Sequence, residues 1–104
     1  MDSFDIKSYK TTFLKSANEL INNIRLNLST AGENGELRRF FHNLKGQALF
    51  MKLDEIGYIS LTGQKLIENY INNKMQLDET AKKTLIEIID KIDLSLKKYE
   101  SINS

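Results

Sequence analysis

The spacing of apolar residues constrains this chain more than any other feature. From about Phe4 to Ser29, the residues Ile6, Tyr9, Phe13, Ala17, Leu20, Ile21, Ile24 and Leu28 recur three and four positions apart, so one face of a first helix is expected to turn to a core. No proline opposes helix anywhere, and Leu, Ile, Lys and Glu are abundant. Ala31-Gly32-Glu33-Asn34-Gly35 supplies two glycines and an asparagine, residues that accept left-handed backbone angles, so the helix should end there and a second begin near Glu36. That second helix carries Leu37, Phe40, Phe41, Leu44, Ala48 and Met51 on one stripe and should run to about Met51 or Lys52. Asp54 is the expected N-cap of a third, with Ile56, Ile59, Leu66, Ile67 and Tyr70 facing inward. Asn72-Asn73 marks the next break. Asp78 can cap a fourth helix whose core face reads Ala81, Leu85, Ile88, Ile89, Ile92, Leu96 and Tyr99, with a frayed tail after Glu100. Short connections force sequential helices to run in opposite directions. The expected fold is therefore all-α, an antiparallel up-and-down four-helix bundle, with no strand candidate and no internal repeat.

At 104 residues there is room for one domain and one core. The formal net charge of +1 offers no broad attraction to nucleic acid or to an anionic membrane, so any charge-based function has to be local. Without cysteine there is no disulfide framework, thiolate metal site or cysteine nucleophile. Met1-Asp2-Ser3-Phe4 lacks the basic leader and apolar stretch of a signal peptide, and no apolar run reaches the roughly 18 residues of a membrane span. The expected location is the cytoplasm.

The chain has one histidine. At about 100° per residue, His42 points about 140° away from the stripe centred near Leu37, Leu44 and Ala48, and so faces water. Arg38 lies one turn before it and Gly46 one turn after, with Arg39 and Lys45 three positions away on either side. A glycine inside a strong helix costs about 1 kcal/mol relative to alanine. Bare backbone beside an exposed imidazole leaves room for a bulky group on the ring or for close approach of another protein. Leu49 adds an exposed apolar contact on the same outer side. On the wheel alone, the residue also reads as a solvent-exposed histidine among ordinary surface charges.

The stretch His42-Asn43-Leu44-Lys45-Gly46-Gln47-Ala48 resembles the H-x-L-K-G-x-A signature of histidine-phosphotransfer domains, including the N-terminal phosphotransfer domain of chemotaxis-type kinases. The likeness extends over most of the chain, through a first helix reading Tyr9-Lys10-Thr11-Thr12-Phe13-Leu14-Lys15-Ser16-Ala17, a polar loop, the signature helix and a third helix. It implies that residues 1–104 form a single histidine-phosphotransfer domain in which His42 is phosphorylated. Lys45 would then lie near the phosphoryl oxygens, and Gly46 would be the small residue that admits a partner. Many family members place Glu or Gln 22 positions after the histidine, against the ring's Nδ1; here that residue is Gln64. A contact at Nδ1 leaves Nε2 as the nucleophile. Gln64 is also what the polar edge of a buried stripe would carry. The chain departs from the family at Lys52, where glycine often closes the signature helix.

The resemblance implies a phosphoryl carrier, not an enzyme with its own ATP or metal site. Neutral His42 would attack a partner's phosphoryl group to form a phosphoramidate, with Lys45 and Arg38 or Arg39 stabilising its charge. Arg38, Arg39, Gly46 and Leu49 are the expected partner-facing residues. No Gly-rich phosphate loop or metal carboxylate site is present in the sequence, and no cofactor is called for. Asp90 and Asp93 read as solvated helix charges. The implied partner is a response-regulator receiver domain, or the ATP-binding domain of a histidine kinase. Two alternatives remain at this stage: a phosphotransfer domain of a chemotaxis-type kinase phosphorylated from ATP, and a helical adaptor that is never phosphorylated.

Overall fold

The computed structural model describes the backbone of residues 3–102 and the side chains of residues 7–102. Four helices make up the fold: α1 (Ser3–Thr30), α2 (Asn34–Phe50), α3 (Asp54–Asn72) and α4 (Glu79–Ile102). α1 packs on α2 and α4, and α3 closes the bundle by packing on the same two, giving a body of 47 × 20 × 20 Å. The apolar stripes meet as their periodicity requires. Phe13, Ala17, Ile21, Ile24, Leu37, Phe41, Leu44, Ala48, Ile56, Ile67, Leu85, Ile89, Ile92 and Leu96 lie in one continuous core. Burying a side chain of this size contributes about 1.5–3 kcal/mol. Among the described residues no helix is long and apolar enough to cross a membrane.

Several details differ from the sequence expectation. Tyr9 is 48% exposed, and Phe40, Met51, Ile59, Leu66 and Tyr99 pack only at the margin of the core. Phe4 and Ile6 lie outside the residues whose side chains are described. Asp54 is the first residue of α3 and does not cap it; Leu53 precedes the helix, with no side-chain cap. Asp78 does cap α4, accepting the Ala81 N–H on Oδ1 at 2.8 Å and the Tyr70 hydroxyl on Oδ2 at 3.0 Å. That Ala81 bond is the main reason its carboxyl is held below the usual range. α4 continues as helix through Ile102, into the tail expected to fray after Glu100.

Helices α1, α2 and α3 all end on a residue other than glycine in the left-handed region: Ala31 (φ 54°), Lys52 (φ 61°) and Lys74 (φ 54°). After α2, the Leu53 N–H donates to Ala48 O at 2.9 Å and the Lys52 N–H to Leu49 O at 3.0 Å, the paired bonds of a Schellman ending. α2 therefore stops at Phe50 although Lys52 stands where family members often have glycine. A left-handed L-residue costs about 1–2 kcal/mol, partly offset by the greater chain entropy that glycine loses on folding. Lys52→Gly is therefore expected to raise stability by about 1 kcal/mol, seen as a higher urea midpoint with unchanged slope. A midpoint at or below that of the parent would mean that the Lys52 side chain contributes more than its backbone strain removes.

α3 lies close against α2 because small residues line the contact. Gly57, Ser60 and Gly63 are buried there. A Cβ on Gly57 would stand 2.5 Å from Leu49 Cδ2, and one on Gly63 2.5 Å from Phe41 Cε1. Neither glycine has a positive φ, so each serves close approach and not a turn. This proximity brings the polar edge of α3 within reach of the outer face of α2.

Candidate functional site

His42 is exposed on α2, on the side opposite fully buried Leu44 and Ala48. Its Nδ1 lies 3.3 Å from Oε1 of Gln64 on α3. Gln64 is 5% exposed, so its amide is held within the α2–α3 contact and is not left to rotate in water. An amide oxygen only accepts, which means that the ring nitrogen facing it has to carry the proton. With the amide oxygen toward the ring, the contact pairs with the Nδ1–H tautomer, in which the Nε2 lone pair is free.

One turn beyond Gln64 stands Glu68. Its Oε2 accepts from both Nε and an Nη of Arg38, each at 2.8 Å. Arg38 thus sits on the α3 carboxylate. The Glu68 carboxyl is held below its usual range chiefly by the Arg38 hydrogen bond, helped by the Gln64 amide and the nearby charges of Arg38 and Lys45, against a smaller opposing effect of burial. A carboxyl lowered in this way keeps the pair intact at neutral pH; its contribution to stability is lost as pH falls through the folded-state value.

The remaining candidates spread along the outer face of α2. Arg39 pairs with Glu36 at 3.3 Å and lies over the Phe40 ring. Lys45 is half-buried, with no ion pair among the described residues, although its charge reaches Glu68. Gly46 is exposed, and a Cβ built on it meets nothing within 4 Å. Beside Gly46 runs a 320 Å³ groove between α1 and α2, lined by Tyr9, Phe13, Gln47, Phe50 and Met51 among others. Gln47 Oε1 is buried there without a hydrogen-bond partner among the described residues. Phe50 is 75% exposed, and Leu49 divides its surface between water and Gly57. Asp90 and Asp93 are engaged by Arg25 of α1, on a different face. Among the described residues no group of three His, Asp or Glu side chains converges as a metal site requires.

Sequence reasoning missed Glu68. The available signal was an acidic residue one turn after Gln64, a spacing that puts both on the same side of α3.

The fold is a four-helix bundle that turns its single histidine to solvent on α2, with the ring against a side chain of α3. Comparison with known families agrees: the model of the Hpt domain matches residues 8–94. The chain belongs to the Hpt domain family, whose members are phosphocarriers working by histidine phosphotransfer in phosphorelays, together with the kinases and receiver domains of two-component signalling. No curated protein and no solved structure was found to match it.

Proposed function

We propose that His42 accepts a phosphoryl group on Nε2 and passes it to or from the aspartate of a response-regulator receiver domain in the cytoplasm. The supporting observation is the exposed imidazole with Nδ1 against Gln64 Oε1 at 3.3 Å. In the forward step the Nε2 lone pair attacks phosphorus, a P–N bond forms, and the P–O bond to the donor carboxylate breaks with its electron pair leaving on oxygen. Nδ1 keeps its proton, and that N–H donates a hydrogen bond to Gln64 Oε1, which stabilises the positive charge that develops on the ring. The reverse step restores the carboxyl phosphate. Lys45 offers charge to the phosphoryl oxygens, with Arg39 assisting once it leaves Glu36.

The receiver brings the metal and the aspartate, and the exposed surface of Gly46, Leu49 and Phe50 receives it. Phosphorylation from ATP by a separate kinase catalytic domain is the second reading within the family, and a non-phosphorylated adaptor the third.

Presenting the purified protein with a phosphorylated receiver, and separately with a kinase catalytic domain and ATP, distinguishes them. Rapid label transfer from the receiver is expected. Label taken only from the kinase would replace the relay reading with the second, and label from neither donor would favour the adaptor.

A further inference from the structure

Phe41 and His42 are consecutive on α2 and face opposite ways: the Phe41 ring is fully buried in the core, and the His42 imidazole is exposed. Gly63 and Gln64 are consecutive on α3 and meet them in the same order. A Cβ built on Gly63 would stand 2.5 Å from Phe41 Cε1, 2.8 Å from Cδ1 and 3.1 Å from Cζ, while Gln64 Oε1 stands 3.3 Å from His42 Nδ1. One packing contact and one polar contact thus share the same two stretches of backbone. The helix separation that sets the first also sets the second.

A methyl group at Gly63 would press on three atoms of one flat, rigid ring. Carbon atoms in contact sit roughly 3.5–4.0 Å apart, so relief requires a displacement of about 1 Å. The Phe41 ring is enclosed in the close-packed core and has little room to yield, so the displacement falls on the α3 backbone. A 3.3 Å contact lengthened by that much leaves hydrogen-bond range. Alanine is the better helix former, so space and not propensity accounts for glycine here. Gly57 offers the contrast. A Cβ there would also come within 2.5 Å of a neighbour, but that neighbour is Cδ2 of Leu49, whose side chain is 39% exposed and can turn toward water. Gly57 also lies two turns of α3, about 10 Å, from Gln64.

We propose that Gly63 is a positioning residue: its missing side chain lets α3 seat against the Phe41 ring and thereby sets the α2–α3 separation at which Gln64 reaches His42. It acts on the imidazole through Gln64. The consequence for phosphoryl transfer rests on the reading of His42 as the acceptor, whereas the contact is a property of the ring that needs no phosphoryl donor.

The test reads the His42 ring nitrogens by proton–nitrogen NMR on the full chain labelled with ¹⁵N-histidine, with Gln64→Ala as the reference for a ring without its α3 neighbour. Gly63→Ala is expected to move the Nδ1 signal most of the way to its Gln64→Ala position, and combining the two substitutions should add nothing further. Gly57→Ala should leave the ring signals where the parent has them. Gly63→Ala combined with Phe41→Leu, which shortens the side chain facing the new methyl group, should return Nδ1 toward its parent position. In transfer from a phosphorylated receiver, Gly63→Ala should lower the rate by the same factor as Gln64→Ala. An Nδ1 signal unmoved by Gln64→Ala, unmoved by Gly63→Ala, or moved equally by Gly57→Ala would overturn the proposal. So would a folded Gly63→Ala, Phe41→Leu protein whose ring matches Gln64→Ala, a result that decides the matter even where Gly63→Ala alone does not fold. A ring that responds as expected in a protein that accepts no phosphoryl group would leave the role of Gly63 intact and overturn the proposed function instead.

Discussion

Gly46→Gln is expected to unfold at a higher urea concentration than the parent while transferring phosphoryl groups at least about tenfold more slowly, a loss of ~1.4 kcal/mol or more in productive docking. The two effects have separate causes. Within the free protein nothing requires glycine at this position: a Cβ would meet no atom within 4 Å, and the backbone is ordinary helix without a positive φ. Replacing glycine in a helix interior with a good helix former should therefore gain about 0.5–1 kcal/mol. A stability sacrifice with no internal reason points outward. One turn from His42, a long side chain would stand beside the ring and hold a partner's phosphoryl site away from Nε2. The loss should fall mainly on the concentration dependence of transfer, since docking and not the nucleophile is obstructed, and Gly46→Ala should lie between the parent and Gly46→Gln. Transfer at the parent rate in a stabilised Gly46→Gln protein would remove Gly46 from the docking surface.

The four helices were readable from the sequence because burial acts on side chains that recur with the period of the helix. The Leu85 to Leu96 face and the Leu37 to Ala48 face lie in the core as their spacing requires, and Asp78 caps α4 as its position before an apolar run suggests. The helix ends were less legible. Ala31-Gly32-Glu33-Asn34-Gly35 reads as a loop broken by glycine, yet the left-handed residue is Ala31, and Asn34 and Gly35 already belong to α2. Local conformational preference is worth about 1 kcal/mol, which the packing of two long helices can override. Tyr9 has the right spacing to be buried but lies where α1 edges the groove beside Gly46, so it stays half in water.

His42 and Gln64 could be singled out from the signature and its spacing, whereas the packing that joins them could not. Gly57 and Gly63 carry no side chain for an apolar pattern to register, although their bare backbone is what lets α3 lie against Phe41 and Leu49. Arg38 was legible only as one of several positive charges around the histidine. Its partner, Glu68, is distant in sequence, and only the close α2–α3 contact reveals that the guanidinium is committed to that carboxylate.

The second large effect is the loss of phosphoryl acceptance in His42→Gln. Glutamine preserves bulk and polarity at an exposed helix position but has no nucleophilic nitrogen, so the bundle should stay folded while the P–N bond can no longer form. No other histidine is present to substitute. The measurement that tests this most directly is intact mass and acid lability after incubation with a phosphorylated receiver, at neutral pH, for the parent and for His42→Gln. The parent should gain one phosphoryl group that is lost on brief acid treatment, and His42→Gln should gain none. Equal labelling of the two proteins would contradict the assignment of His42 as the phosphoryl carrier.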